Sequence, residues 1–248
     1  MYSNIRGKSG NTIGENVYHT LRKNIIDLRL TPGEDLSIKD IAETLEVSRS
    51  PVRDAIINLS KEGLVDTIPQ KGTMVSKIDL KRVEEERFLR ASLEEKALIL
   101  CMNRITENDI VCLEKNILKQ EEYMRTKDHL KFLDYDDEFH ENFFRIAEKM
   151  LCWEMIQSMS GHYRRIRFIT LWDDSILNDV INQHLEFIKF LKKNNVEALI
   201  KLSNQHCSKL SNEEKDLLRK FPDYFKQKEN IQEKDDNFLK KDFMKLMQ

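Results

Sequence analysis

Glycine and proline are scarce: seven and four in 248 residues. Both interrupt helices, so their scarcity argues against a loop-rich fold and for a mostly α-helical one. No apolar run approaches the ~18 residues of a bilayer span, so no membrane partner is expected. Residues 1–11 are polar and unlike a signal peptide. Cysteine is limited to Cys101, Cys112, Cys152 and Cys207, with no C-x-x-C pair and no regular spacing. That pattern suits reduced core thiols in a cytoplasmic protein rather than a disulfide framework. No repeat is visible. Charge of one sign is lacking too: the net is −2. Residues 1–80 hold 11 Lys and Arg (6, 8, 22, 23, 29, 39, 49, 53, 61, 71, 77) against 11 Asp and Glu (15, 27, 34, 35, 40, 43, 46, 54, 62, 66, 79). Any nucleic-acid contact must therefore concentrate its positive charge on one face.

Such a face is legible in residues 36–75. Ser37 can cap a first short helix, in which Ile38, Ile41, Ala42 and Leu45 recur at helical spacing. Glu46 and Val47 form a turn. A second helix begins near residues 48–51, with Pro51 in its first turn, where a missing N–H costs nothing. Val52, Ala55, Ile56 and Leu59 make its buried stripe, and Gly63 stops it. Ser48, Arg49, Ser50 and Arg53 remain exposed at its start, the end that enters the major groove in a helix-turn-helix. Arginine can grip guanine O6 and N7 with two hydrogen bonds. Residues 64–68 and 73–78 alternate as two strands joined by Pro69, Gln70, Lys71 and Gly72. In this wing Lys71 would lie against phosphates, and Lys39 can add to the same basic face. Residues 14–30 form a supporting helix with Val17, Leu21, Ile25 and Leu28 on one side.

The stretch TPGEDLSIKDIAETLEVSRSPVRDAIINLSKEGLV followed by PQKGTMV closely resembles the winged helix of the GntR family of bacterial transcription regulators. The resemblance implies a homodimer that reads a two-fold double-stranded DNA operator. Glu46 departs from the glycine usual in the turn, so it must take φ > 0 or the turn must shift.

From residue 81 the pattern is helical throughout. Helices are expected at about 80–102, 106–126, 127–149, 151–171, 175–193 and 195–220, which suggests an antiparallel bundle. The expected layout is a winged helix-turn-helix domain at 1–75, a linker at 76–80, a helical domain at 81–220 and a lysine-rich tail at 221–248. On the third bundle helix Asp136 and His140 occupy positions of the apolar stripe. His184 and His206 do the same on two later helices, ten residues before and twelve after the turn near Asn194. At ~1.5 Å per residue they lie at similar heights. A lone inward histidine is commonly a hydrogen-bonded core residue, but four converging polar side chains cost several kcal/mol to bury unpaired. Histidine nitrogens with a carboxylate suit a divalent transition metal: zinc, nickel or manganese.

Asp136, Phe139 and His140 as D-x-x-F-H, His184 opening H-x-x-x-I, and His206 are similar to the FCD ligand-binding domain of the FadR-like GntR subfamily. The resemblance implies that Asp136, His140, His184 and His206 are the ligand set of its metal-binding branch. Glu148, Lys149 and Met150 depart from that family's small-Gly-Asn segment. Residues 89–94 resemble its R-x-x-L-E, whose arginine faces a carboxylate effector, which implies that role for Arg90. A surface pair between Arg90 and Glu94 is the alternative. Arg164 and Arg165 are further effector candidates, and His162 beside them is either a pocket residue or exposed. A metal with one carboxylate ligand leaves about +1 in an apolar bundle, which favours a small carboxylate effector. The linker and first bundle helix are the expected route from effector to DNA.

A rival reading is a metal-dependent hydrolase with an incidental helix-turn-helix. An enzyme needs an open metal position and a general base, and no H-E-x-x-H motif is present. The expected protein is therefore a regulator, not an enzyme.

Overall fold

The computed structural model describes residues 12–70, 72–208 and 214–227, which hold eleven α-helices and one two-stranded sheet. Residues 1–11, Lys71, Leu210 and the amphipathic end of the tail lie outside the described residues.

Helix α1 (Ile13–Ile26) opens with a capping box between Thr12 and Glu15 and buries Val17, Leu21 and Ile25. It stops four residues short of the expected Leu30. Leu28 takes φ 53°, and the N–H groups of Arg29 and Leu30 both donate to Asn24 O, which closes the helix. Leu28 thereby leaves the α1 stripe and packs on the bundle. Helix α2 (Ile38–Thr44) is capped by Ser37, whose hydroxyl accepts from Asp40 N. Glu46 meets the demand of the turn with φ 54°. Helix α3 (Arg49–Lys61) buries the four expected residues, and Gly63 ends it at φ 74°.

Strands β1 (Val65–Ile68) and β2 (Gly72–Val75) pair antiparallel, Val65 opposite Val75 and Ile68 opposite Gly72. They are shorter than expected, because other partners take the backbone at each end. Ser76 N donates to Leu64 O, and Gly33 N and Leu36 N donate to Val75 O and Thr73 O on the free edge of β2. One apolar cluster joins α1, α2, α3 and the sheet.

The expected linker is packed rather than loose. Ser76 and Ile78 are fully buried, and Asp79 caps α4 (Leu80–Met102). Helices α5 (Glu107–Thr126) and α6 (His129–Ile146) follow, with caps at Thr106 and Asp128. The expected helix 151–171 is two helices, α7 (Met150–Met159) and α8 (Gly161–Thr170). The break has a tertiary cause. Leu64 packs directly on Gly161: a Cβ there would come within 2.5 Å of Leu64 Cδ2, so any larger residue would force the Leu64 side chain to move. Glu86 of α4 then accepts from the N–H groups of His162 and Tyr163 at 2.9 and 2.8 Å and starts α8 afresh.

Helix α9 (Asp174–Lys192) and α10 (Val196–Ser208) form the hairpin expected near Asn194, with Asn195 Oδ1 accepting from Ala198 N. Within the last expected helix the described residues hold α10 (Val196–Ser208) and α11 (Glu214–Lys220). The start of the tail is docked: a 3-10 turn at Pro222–Tyr224 leads to Phe225, which is buried against Ile78. Helices α4, α5, α6, α9 and α10 enclose the main core, which includes Leu98, Leu113, Phe132, Phe143, Phe187 and Leu199.

Candidate functional site

The helical period carries Asp136 and His140 inward on α6, His184 on α9 and His206 on α10. One ligand atom from each of the four lies within 4.8 Å of all the others. The ring centroids of His140, His184 and His206 are 4.9 to 5.3 Å apart. His184 is fully buried and stacks on Phe139 at 4.1 Å.

Their outward nitrogens are all occupied. Nδ1 of His140 lies 2.8 Å from Glu94 Oε1, that of His184 lies 2.8 Å from Gln120 Oε1, and that of His206 lies 2.7 Å from Gln183 Oε1. Gln120 Nε2 donates to Asn116 Oδ1 and Tyr135 O, which fixes its carbonyl toward His184. These partners accept, so each Nδ1 carries the proton and each Nε2 presents a lone pair inward. Burial pushes the pKa of His140 and His184 well below the ordinary value and that of His206 down to about 3, so the rings are neutral near pH 7. Two of the lone pairs face each other, His140 Nε2 and His206 Nε2 being 3.2 Å apart. His184 Nε2 is buried with no hydrogen-bond partner. Three convergent imidazole lone pairs beside a carboxylate fit a cation of the divalent transition series. Their donation to outer acceptors is the arrangement that orients histidine ligands.

Around this centre lies a buried ion network that sequence reasoning located only in part. Arg90 pairs with Glu94 at 3.4 Å and Asp137 at 3.5 Å. Both Arg90 and Glu94 are buried, so the alternative of a surface pair does not hold. Arg167 bridges Asp136 and Asp137. A cavity of about 50 Å³ opens beside the cluster, lined by Asp136, Arg167, Gln183 and His206 among others. Arg167, not among the expected effector residues, is the arginine on its wall. The neighbouring pair Asp136 and Asp137 was the available signal, since two adjacent buried carboxylates need cations.

The expected effector arginines lie elsewhere. Arg90 stands behind the cavity wall, its guanidinium near the Trp153 and Tyr163 rings. Arg164 ties Asp137 to Asp134 and Asp27, joining the bundle to the end of α1. Arg165 is fully buried, donates to Ser76 O at 2.6 Å and to Gly161 O, and holds the strap between the two halves. His162 is buried rather than exposed. Its Nδ1 accepts from Asp79 N at 3.1 Å and its Nε2–H donates to Gly63 O at 3.0 Å. Helix α8 thus touches the cluster through Arg167 and the winged helix through Gly161, His162 and Arg165.

The buried neutral rings set a pH dependence. Unfolded histidine titrates near ~6.5, and the folded values are depressed, that of His162 to about 2. Below about pH 6.5 the unfolded chain takes up protons that the folded chain does not. Stability therefore falls, by about 1.4 kcal/mol per pH unit for each such histidine, and above that pH they contribute no slope. Denaturant unfolding of chelator-treated protein should show a steep loss between about pH 6.5 and about pH 5. A flat profile there would mean that the rings are charged when folded.

On the winged helix, Lys39, Ser48, Arg49, Ser50, Arg53, Gln70 and Gly72 are all exposed. Ser48 stands at the N-cap of α3 without a side-chain capping bond. Arg49 and Arg53 have no ion pair among the described residues, whereas Lys39 lies 3.9 Å from Glu43. Gln70 at φ 64° and Gly72 at φ 110° turn the wing.

A winged helix with unpaired arginines at the head of its second helix, joined to an all-helical domain, defines a DNA-binding protein of the helix-turn-helix class. Residues 13–75 match the family of bacterial regulatory proteins called gntR, and residues 87–209 match the FCD domain. The chain belongs to the GntR family of transcription regulators, in the FCD-bearing, FadR-like subfamily. It is 29% identical over 213 residues to the HTH-type transcriptional repressor RspR of Escherichia coli, covering 86% of this chain and 93% of that one. It is 28% identical over 166 residues to the Nta operon transcriptional regulator of Aminobacter aminovorans, covering 67% and 77%. The structure of E. coli McbR/YncC superposes with a TM-score of 0.69 at 19% identity, over 82% of this chain and 99% of that one, a likeness of fold. These relatives are named as transcription regulators, and the hydrolase alternative gains no support from them.

Proposed function

We propose that this regulator binds its operator with an affinity set by a small organic acid held beside a divalent transition metal. The observation that carries the reading is the set of three neutral imidazoles, each bonded outward through Nδ1 and aimed inward through Nε2 at the Asp136 carboxylate. Asp136, His140, His184 and His206 would hold zinc, nickel or manganese. When bound, the metal supplies a Lewis-acid position for a carboxylate oxygen. Arg167 is the cation that meets the effector from the cavity wall, since a guanidinium suits a carboxylate's two oxygens. Arg90 acts behind it by holding Glu94 and Asp137.

Arg49, Ser50 and Arg53 read bases, while Ser48, Lys39 and the wing residues Gln70, Lys71 and Gly72 meet phosphates and sugars. The regulator works as a homodimer on a two-fold site. A candidate face for the pairing is the outer side of α7, where Leu151, Met155 and Met159 lie at i, i+4 and i+8 and are exposed. A chromosomal DNA reader with four free thiols belongs in the cytoplasm.

After incubation with zinc, nickel or manganese and gel filtration, the protein should carry about one metal per chain. Acetate, used as a minimal carboxylate, should then give calorimetric binding that vanishes on chelation and in Arg167→Ala. A protein that emerges metal-free from all three incubations would refute the metal centre. Acetate binding that survives in Arg167→Ala would refute the role of Arg167.

A further inference from the structure

The cavity of about 50 Å³ beside the histidines has a neighbour. A second cavity, of about 470 Å³, lies between the start of α9 and α11, and Thr170 and Ile176 line both. The two differ in chemistry. The inner one ends on Arg167, Asp136 and His206 and has room for only about three or four water-sized atoms. The outer one is walled by Ile169, Trp172, Leu217 and Phe221. Its three aspartates are engaged elsewhere: Asp173 caps α9 through Ser175, Asp174 lies 3.7 Å from Lys127, and Asp216 pairs with Arg219 at 3.3 Å. A guest there meets a mixed lining: one side is apolar and aromatic, through Ile169, Trp172, Leu217 and Phe221, and Lys220 and the aspartates line the rest. Trp172 is 46% exposed, and its ring is edge-on to Phe221 with centroids 5.3 Å apart. A half-exposed indole in a partly closed aromatic chamber is apolar surface left for a ligand.

We propose that the outer chamber takes the apolar tail of the effector, so that the effector is an amphiphilic carboxylate with a flat or branched tail. This rests on the carboxylate reading above: the head sits at Arg167 and the tail passes Thr170 and Ile176 to lie against the wall that Trp172 and Phe221 form together. The chamber also gives the tail a purchase on the DNA-binding half. Phe221 leads directly into the turn at Pro222–Tyr224. Tyr224 O accepts from Ile78 N at 2.8 Å and Lys226 N donates to Ile78 O at 2.9 Å. Phe225 is buried in one cluster with Ile78, Val83 and Ile166. The chamber wall is thus a few residues from the strap that joins the winged helix to α4. Residues 214–227 lie beyond residue 209, where the FCD match ends, so this wall is built from this chain's own C-terminal segment.

The test compares acetate with 3-phenylpropionate on the metal-loaded full chain by calorimetry, with tryptophan emission as a second readout. The tailed acid should bind about tenfold or more tightly than acetate and should shift the emission, which acetate should not. In Phe221→Ala, whose ring is only half-buried, the gain should fall toward unity while acetate binding is unchanged. Equal binding of the two acids to the unaltered protein would overturn the tail chamber and leave the carboxylate reading intact. A gain that persists in Phe221→Ala would place the tail elsewhere and also overturn it. If neither acid binds, the carboxylate reading fails and this inference falls with it.

Discussion

Replacing His184 with alanine should yield a purified protein that no longer retains zinc, nickel or manganese. The effect is large because His184 supplies a buried nitrogen that has no hydrogen-bond partner, 3.6 Å from Asp136 Oδ1 and within 4.8 Å of the other three ligand atoms. The substitution also removes a ring stacked on Phe139 and leaves Gln120 Oε1 without its donor. Packing loss of this kind costs ~2–5 kcal/mol at core sites, so metal loss must be separated from loosening of the fold. Gln120→Ala makes the separation. It keeps all four ligands and their rings and removes the group that orients His184, together with its bonds to Asn116 and Tyr135, and such outer partners are typically worth ~10–100-fold in metal affinity. The expected order is full retention in the unaltered protein, weakened binding in Gln120→Ala and none in folded His184→Ala. Metal retained by His184→Ala at unaltered stoichiometry would contradict the site.

Replacing Arg49 with alanine should damage discrimination between operator and random DNA more than it damages binding as such. Arg49 opens α3, is exposed and has no ion pair among the described residues, so its guanidinium is available to a base edge. A guanidinium on guanine is worth ~1–3 kcal/mol at one base pair. Lys71→Ala, on the wing, should instead weaken all sequences alike and reduce the salt dependence, as loss of a phosphate contact does. An unchanged specific-to-random ratio in Arg49→Ala would remove the base-reading role.

What was legible in the sequence was local. The helix-turn-helix is written in adjacent residues, through Ser37 as a cap, Glu46 in the turn and Gly63 as a stop, and all three act where expected. The inward set Asp136, His140, His184 and His206 was legible because helical period fixes facing and the α9–α10 turn fixes height. What escaped depends on residues far apart in the chain. Ser160 and Gly161 are a local signal for a break in the helix that was not used, and the partners that fix the break, Leu64 and Glu86, are distant in the chain. Glu94, Gln120 and Gln183 could be found only once three helices were placed around the rings. Arg165 resembles its neighbours Arg164 and Arg167 in sequence, yet the turn of α8 sends it to Ser76 and sends Arg167 to Asp136. Phe225 reads as part of a lysine-rich tail, and its partners are distant in the chain: the Ile78 backbone bonds its two neighbours, Tyr224 and Lys226, and its ring packs with Val83 and Ile166.

Helix α8 gives the account its physical economy. One face carries Arg167 at the ligand cluster, and its first turn sits under the winged helix through Gly161 and His162. On the proposed reading, an acid bound at Arg167 would alter its bonds to Asp136 and Asp137, and α8 carries both ends. Regulation requires the acid to bind the DNA-competent and DNA-incompetent arrangements unequally, and couplings of this kind are typically ~1–3 kcal/mol.

The central claim is tested most directly by fluorescence anisotropy of the metal-loaded protein on DNA from upstream of its own gene, titrated with 3-phenylpropionate or acetate. The account predicts a change in operator affinity of about 5–150-fold at saturating acid, absent in Arg167→Ala and after chelation. Operator affinity that stays constant while calorimetry shows the acid bound would contradict it.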